Sequence, residues 1–315
     1  MGRVVASVRP IGLRLPSPLE ELRADRFTGA GLRLFLKRED LISPDIPGNK
    51  WRKLKYNIEA AKIRGDQAIL TFGGAYSNHI WATAAAGYYF GFETVGVIRG
   101  EEHLPLNPSL EYAVRHGMRL AYLDRAAYRE KMRPEVIAML RRRFGEFCLL
   151  PEGGSNADAL RGCAEIPGEI DRGFDLACCP CGTGGTLAGL AHGLGPGQRA
   201  LGFSVLKGGE FLTREVAALQ REAFGAASGN WSIEYGFHFG GFARRSPALG
   251  QFVADFKERH ALSLDWVYVA RMMYGIFALA QQGGFPAGTV IMAVITGGPV
   301  SRMRTRPQSV ARQAV

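Results

Sequence analysis

Two patterns of hydrophobic and polar positions alternate along the chain. Short runs of aliphatic and β-branched residues are separated by stretches in which apolar residues recur every three or four positions. This alternation is typical of a parallel sheet with crossover helices, so the predicted fold class is α/β. The predicted strands are Leu32–Lys37, Ala68–Phe72, Thr94–Ile98, Leu120–Leu123, Cys148–Leu150, Leu176–Cys179, Leu201–Val205 and Val290–Ile295.

One helix is predicted over Trp51–Arg64, where both sides can be assigned from the spacing. The apolar stripe comprises Trp51, Leu54, Ile58 and Ala61, and the predicted solvent-facing side comprises Lys53, Lys55 and Glu59. Gly65 is suited to end this helix because glycine readily adopts the left-handed conformation of a C-cap.

The composition is that of a globular protein. The chain has 315 residues, of which 47% are hydrophobic and 22% charged, enough for one large domain or two lobes. No apolar run approaches the ~20 residues of a membrane span, and the first residues do not resemble a secretory leader. We therefore expect a cytoplasmic protein without a membrane partner.

The net charge of +10 does not by itself indicate a nucleic-acid partner. Four arginines of the excess lie in residues 301–315, which contain no acidic residue. A poorly ordered, solvated basic tail explains this segment, because chain termini are often disordered. We expect no nucleic-acid partner.

The five cysteines do not suggest a disulfide framework, since their number is odd and no leader is evident. Cys178 and Cys181 have a CxxC spacing, but no second pair follows it. We therefore expect no metal site, and interpret Cys178, Cys179 and Cys181 as small hydrophobic residues at the end of a buried strand.

Glycine is over-represented, with 41 residues, and many glycines occur in pairs just after predicted strands. In open α/β sheets this is where ligands bind. The clearest such loop follows the strand Leu176–Cys179 and comprises Gly182, Thr183, Gly184, Gly185 and Thr186. Its glycines, hydroxyls and following helix suit a phosphate, although a loop that only packs a helix against a strand has the same composition.

Two other segments carry candidate chemistry. Lys50 begins the predicted helix after a glycine turn, where the helix dipole disfavours a cation and lowers its pKa. A lysine with a depressed pKa suits Schiff-base chemistry. Ser77, Asn78 and His79 follow the strand Ala68–Phe72, where Ser77 or Asn78 can cap the next helix and the loop amides can bind a carboxylate.

Together these motifs resemble the fold type II pyridoxal-phosphate enzymes. The similarity rests on lysine after Gly-Asn, a Gly-Gly-x-x-Ser-Asn loop, the GTGGT turn and a final Thr-Gly-Gly after a strand, in that order. It extends from Leu36-Lys37-Arg38-Glu39-Asp40 to Thr296-Gly297-Gly298. The chain is most similar to the branch that contains aminocyclopropane-carboxylate deaminase and D-cysteine desulfhydrase.

The resemblance implies a role for each matching residue. Lys50 would bind pyridoxal phosphate as a Schiff base and move protons at the substrate Cα. Asn78 would bind the phenolic oxygen of the cofactor, and Ser77, Asn78 and His79 the substrate carboxylate. Gly182, Thr183, Gly184, Gly185 and Thr186 would bind the phosphate, and Thr296 would face the pyridine nitrogen. Tyr268 matches a tyrosine near the substrate, where it either moves a proton or only packs.

The chain departs from the family pattern on the substrate side. Val269-Ala270-Arg271 follows Tyr268 where relatives have Thr or Glu and then Gly-Lys, so no glutamate is available to pair with the pyridine nitrogen. Ile295 replaces a frequent histidine, and Phe242 replaces a tyrosine of some relatives.

These features predict a lyase that eliminates a β-substituent from a small amino acid, in the manner of D-cysteine desulfhydrase, giving ammonia and a 2-oxo acid. The alternatives are 1-aminocyclopropane-1-carboxylate deaminase, an amino-acid racemase or β-replacement synthase, and a catalytically silent cofactor-binding protein. The resemblance also implies a homodimer and two α/β lobes with the cofactor between them. The large lobe would comprise residues 1–50 and 156–315, including the tail 301–315, and the small lobe residues 51–155.

Overall fold

The computed structural model describes residues 10–46 and 48–297, with the exception of the Arg26 side chain. Within them the chain forms ten strands: β1 (Leu19–Leu22), β2 (Arg33–Lys37), β3 (Ala68–Gly73), β4 (Glu93–Arg99), β5 (Met118–Leu123), β6 (Cys148–Leu150), β7 (Leu176–Cys181), β8 (Arg199–Ser204), β9 (Trp231–Glu234) and β10 (Val290–Val294). The α-helices are α1 (Asp25–Thr28), α2 (Asn49–Arg64), α3 (Asn78–Phe90), α4 (Pro108–Arg115), α5 (Arg125–Arg129), α6 (Pro134–Phe144), α7 (Ala157–Ala164), α8 (Gly185–His192), α9 (Leu212–Phe224), α10 (Pro247–His260) and α11 (Val269–Gln281).

The strands form two sheets. One has the order β1-β2-β10-β7-β8-β9 and the other β5-β4-β3-β6. All neighbouring strands are parallel except β1 and β2. The α/β class with mostly parallel sheets is therefore confirmed. The lobe boundaries at residues 50/51 and 155/156 stay a prediction, and the tail 301–315 lies outside the described residues.

All eight predicted strands are present, with ends that differ by at most two residues. The sequence pattern missed β1 and β9, which lie at the two edges of the larger sheet. Both are four residues long and only partly buried. Such short edge strands lack the apolar run that identifies a central strand.

Helix α2 extends the predicted helix by two residues at its start, and it ends as predicted at Gly65, which has a φ of 75°. It packs against α7 and α3. At the contact with α7 the backbones nearly touch, because a Cβ on Gly162 would lie 1.9 Å from the carbonyl oxygen of Arg52. Helix α2, which carries Lys50, is thus fixed closely to α7.

The five cysteines are free and buried. Cys178, Cys179 and Cys181 lie in β7, which confirms that they are strand residues of the core. Among residues 10–46 and 48–297 no group of His, Cys, Asp and Glu is placed to hold a metal ion. No helix in the same residues is long and apolar enough to cross a membrane.

Candidate functional site

Lys50 lies in the first turn of α2, directly beside the end of β10. A Cβ on Gly48 would lie 1.6 Å from the carbonyl oxygen of Thr296, so only glycine fits there. The Asn49 amide donates to the same oxygen at 3.2 Å. The turn before Lys50 thereby contacts Thr296, although Gly48 and Thr296 are 248 positions apart in the sequence.

The predicted phosphate loop connects β7 to α8. Gly184 has a φ of 77°, and α8 begins at Gly185. A Cβ on Gly185 would lie 2.5 Å from Ser155 Oγ. Thr186 Oγ1 accepts a hydrogen bond of 2.7 Å from Asn49 Nδ2, which ties this loop to the residue before Lys50. Thr183 Oγ1 and Ser155 Oγ are hydrogen-bonded at 2.7 Å.

Lys53 also reaches this loop, contrary to the prediction that it faces solvent. Its side chain is buried, and Nζ donates to the Gly153 carbonyl at 3.0 Å and to Ser155 Oγ at 3.1 Å. The prediction was wrong because α2 is covered by α3 on one side and α7 on another, so more than one stripe is buried. Lys55 is half-buried against Glu165, and Glu59 is exposed as predicted.

The loop after β3 places Ser77, Asn78 and His79 at the start of α3. Ser77 Oγ accepts from the amides of His79 at 3.2 Å and Ile80 at 3.4 Å, so Ser77 is the helix cap. His79 is 1% exposed, and neither of its ring nitrogens has a hydrogen-bond partner. It packs against Gly154, where a Cβ would lie 2.7 Å from His79 Cε1.

Tyr268 immediately precedes α11, and its ring packs on Gly182, where a Cβ would lie 3.1 Å from Tyr268 Cε1. Asp265 positions this turn by accepting the amides of Val267, Tyr268 and Val269. Burial raises the pKa of the Tyr268 phenol. The ring of Phe242 lies 6.0 Å from that of Tyr268.

Lys50, Lys53 and His79 influence each other electrostatically. Burial, followed by the charge of Lys53, lowers the pKa of Lys50 to about 7. Burial and the charges of both lysines hold the pKa of His79 well below its usual value. The lowered Lys50 pKa agrees with the sequence argument, but its causes are burial and Lys53 rather than the helix dipole.

These features fit pyridoxal phosphate. The buried, unpaired His79 nitrogens and the two neighbouring lysines suit an anionic ligand. Gly182 and Gly185 leave space that a side chain would fill. A lysine with a pKa of about 7 presents the neutral amine that bonds to an aldehyde. Of the predicted site residues, Thr296 contacts Gly48 and Asn49, the two residues before Lys50, and Thr186 is hydrogen-bonded to Asn49. Tyr268 contacts Gly182, and the charge of Lys50, after burial, lowers the pKa of His79.

Sequence reasoning missed two polar residues of this arrangement, Lys53 and Ser155. Lys53 follows Lys50 by three residues, which in a helix places both on one side. That spacing was a usable signal. Ser155 comes from a distant loop and only the fold brings it to Thr183.

Comparisons with known proteins identify the family of this chain. The family model described as "Pyridoxal-phosphate dependent enzyme" matches residues 12–214. A Pyrococcus furiosus protein provisionally named 1-aminocyclopropane-1-carboxylate deaminase is 32% identical over 282 residues, 85% of each chain. The D-cysteine desulfhydrase of Salmonella newport is 26% identical over 310 residues, 90% of this chain and 92% of the relative.

A crystal structure described as an ACC deaminase homologue superposes with a TM-score of 0.80 at 28% identity, covering 92% of this chain and 91% of that one. The predicted resemblance and the cofactor, pyridoxal phosphate, are thus confirmed. The chain belongs to the family of pyridoxal-phosphate-dependent enzymes, within fold type II, and is a lyase or deaminase of that family.

Proposed function

We propose that the protein removes the α-proton of a small amino acid and eliminates its β-substituent. Water then hydrolyses the released enamine to ammonia and a 2-oxo acid. The observation that carries the proposal is the position of Lys50, whose lowered pKa lets its amine accept a proton near neutral pH. A thiol as the leaving group makes the reaction that of a D-cysteine desulfhydrase, the name of a relative that covers 90% of this chain.

Each predicted site residue has a proposed role. The bound cofactor supplies an electron-withdrawing ring that acidifies the substrate Cα. Lys50 Nζ binds the cofactor and later takes the Cα proton. The amides of Gly182, Gly184 and Gly185, with the hydroxyls of Thr183 and Thr186, bind its phosphate, and Lys53 neutralises the charge. This last role follows from the position of Lys53 Nζ, which lies 3.1 Å from where a Cβ on Gly185 would be and donates to Ser155 Oγ, the hydrogen-bond partner of Thr183.

The substrate side is formed by the start of α3 and by Tyr268. Asn78 binds the phenolic oxygen of the cofactor, and Ser77, Asn78 and the unpaired nitrogens of His79 bind the substrate carboxylate. Tyr268 gives a proton to the leaving group, which its raised pKa permits because the phenol stays protonated. Thr296 faces the pyridine nitrogen with a neutral hydroxyl.

The second candidate is 1-aminocyclopropane-1-carboxylate deaminase, because a relative of that provisional name is 32% identical to this chain. Val269 argues against it. Its buried side chain stands where the resemblance expects a glutamate for ring opening. Racemisation, β-replacement and silent cofactor binding are separated from both by their products: an inverted amino acid, a new β-substituted one, or none.

We further propose a homodimer and a cytoplasmic location. The homodimer is supported by the family resemblance, and the free, buried cysteines suit a reducing compartment. The proposed lobes, residues 1–50 with 156–315 and residues 51–155, each contain one of the two sheets in their described parts. Light scattering of the purified protein tests the homodimer, because a monomeric mass would reject it.

The experiment that tests the function is a visible absorption spectrum with a panel of D- and L-amino acids, assaying ammonia and 2-oxo acid. We expect a band of the lysine-bound cofactor that one amino acid shifts as product forms. Lys50→Ala should lose both band and turnover, whereas Lys55→Ala, on the same helix, should keep both. Turnover by Lys50→Ala would refute the proposal, and 2-oxobutyrate from aminocyclopropane-carboxylate would establish the second candidate.

A further inference from the structure

Arg271 is a fully buried cation whose hydrogen-bond partners are all neutral. Its Nη1 donates to the carbonyls of Val205 and Gly241, both at 2.9 Å, and its Nη2 to that of Arg244 at 2.7 Å. The nearby Asp265 uses its oxygens on backbone amides instead. Burying a charge without a carboxylate partner costs free energy. We therefore ask what the three hydrogen bonds to carbonyls stabilise.

Two of the three carbonyls belong to a loop with an unusual backbone. Phe239, Gly240, Gly241 and Ala243 have φ values of 50°, 86°, 119° and 57°. For Phe239 and Ala243 this left-handed conformation is unfavourable, because the Cβ atom lies too close to the following carbonyl oxygen. The loop therefore needs bonds from outside itself to keep its shape, and the Arg271 guanidinium supplies bonds at Gly241 and Arg244.

The shape of the loop places Phe242 beside the site. Its side chain is 48% exposed, and its ring meets that of Tyr268 edge to face at 6.0 Å. Tyr268 in turn packs on Gly182, the first residue of the phosphate loop. Tyr268 is the residue before α11 and Arg271 lies in the first turn of that helix, so the start of α11 positions both the tyrosine and the side chain that holds the loop as a clamp.

We propose that Arg271 is a positioning residue that holds the loop 239–244, and that the Phe242 ring forms an apolar wall of the substrate pocket that selects amino acids with a small uncharged side chain. The proposal rests on the proposed function for the location of the substrate. A charged side chain would face the Phe242 ring and lose hydration without gaining a partner. Lysine, which relatives have at this position, keeps the charge of Arg271 but not its planar set of donors.

Trypsin tests the clamp without cofactor or substrate, because Arg244 and Arg245 are exposed cleavage sites within the loop. In the native protein the Arg244 carbonyl is bonded to Arg271, so cleavage there should be slow. We expect Arg271→Met to be cut after Arg244 or Arg245 roughly tenfold faster, since loop opening is more frequent, and Arg271→Lys to be intermediate. Arg214→Met, an exposed arginine on α9, is the control and should be cut there like the native protein.

The preference for an uncharged over a charged substrate tests the proposed role of Phe242. With the enantiomer that is turned over, the native enzyme should strongly prefer cysteine to O-phosphoserine. Phe242→Ala should narrow the ratio of the two kcat/KM values about tenfold while its cofactor band remains. Arg271→Lys should narrow it less, mainly by raising the KM for cysteine.

The proteolysis and selectivity experiments test the roles of Arg271 and Phe242 independently. Unchanged tryptic cleavage of both Arg271 variants would overturn the clamp, and an unchanged selectivity ratio in Phe242→Ala would overturn the wall. If Arg271→Met fails to fold, Arg271→Lys carries the proteolysis test. A native protein without a cofactor band would refute the proposed function and the selectivity claim with it, while the trypsin result would still decide the clamp.

Discussion

The lowered pKa of Lys50 comes from its surroundings in the fold. Burial and the charge of Lys53 lower its pKa to about 7, and burial, followed by the charges of both lysines, holds the pKa of His79 well below its usual value. Three basic groups therefore share one buried region in which they cannot all be charged at low cost. A phosphate and a carboxylate are the ligands that relieve this repulsion, which is why the site suits an amino acid bound to pyridoxal phosphate.

The rate at which Lys50 bonds to the cofactor should depend on pH. Only the neutral amine of Lys50 attacks the aldehyde, so the rate for cofactor-free protein should rise as pH increases through about 7 and then level off. For a lysine with the ordinary pKa of 10.5, the rate of cofactor capture would still be rising at pH 9. Stopped-flow absorbance measures the rate, with N-acetyl-lysine methyl amide as the model amine. A native rate that parallels the model amine up to pH 9 would contradict the prediction.

Lys53 should contribute to cofactor binding. Lys53→Met should raise the dissociation constant for pyridoxal phosphate by about tenfold or more, because a hydrogen bond to a charged group contributes about 1.5–3 kcal/mol. It should also move the midpoint of the capture profile to higher pH, since a like charge is removed from Lys50. Spectroscopic titration gives both. Lys55→Met is the matched control, and equal losses in the two variants would reject a special role for Lys53.

At the scale of elements, the sequence pattern located the central strands but not the buried polar side of α2. Apolar spacing identified the stripe of Trp51, Leu54 and Ile58, since these residues alone fill a hydrophobic interface. It could not show that Arg52 and Lys53 are also buried, because their partners come from distant loops. In the site, the ordered motifs were visible, whereas the approach of Gly48 to Thr296 depends on the fold.

The buried ion pairs of Arg52 join α2 to the larger sheet. Arg52 donates from Nε and Nη2 to the two oxygens of Glu39 at 2.9 and 3.0 Å, and from Nη2 to Glu169 at 2.7 Å. Lys37, at the end of β2, donates to the same Glu169 oxygen at 2.8 Å. Burial opposes ionisation, but bonds from Arg52 and Lys37 prevail and lower the pKa of Glu169 to about 2. Glu169 therefore stabilises the fold above its ordinary value of 4.5, and this contribution is lost as pH falls through about 2.

Removing Arg52 should be costly, because Glu39 would be left buried without its guanidinium. We expect Arg52→Met to lower the free energy of unfolding by about 3–5 kcal/mol, the usual result of breaking a buried pair. Lys55 lies on the same helix as Arg52 and forms a half-buried pair with Glu165. Lys55→Met breaks this pair and should lower the free energy of unfolding by about 1 kcal/mol or less. Urea denaturation of the cofactor-free variants measures both values. Similar losses would mean that burial does not distinguish the two pairs.

At the scale of the whole molecule, the candidate site is formed by loops that follow strands of both sheets. β10 pairs with β7 in one sheet and β3 with β6 in the other, and the loops after these four strands carry Thr296, Gly182, Ser77 and Ser155. The contacts of Ser155 with Thr183 and of Asn49 with Thr186 join these loops. A ligand held by all of them should stabilise both sheets together.

Cofactor binding should therefore raise the thermal stability of the entire chain. A ligand at a hundred times its dissociation constant contributes about 2.7 kcal/mol to the folded state, which for a protein of this size raises the melting temperature by roughly 4 °C. Differential scanning calorimetry with and without pyridoxal phosphate measures the shift. Lys50→Ala, which cannot bond to the aldehyde, should show a smaller shift, and Lys55→Ala a native one. If the cofactor band forms but the transition does not move, or if only part of the transition moves, the ligand does not bridge the sheets.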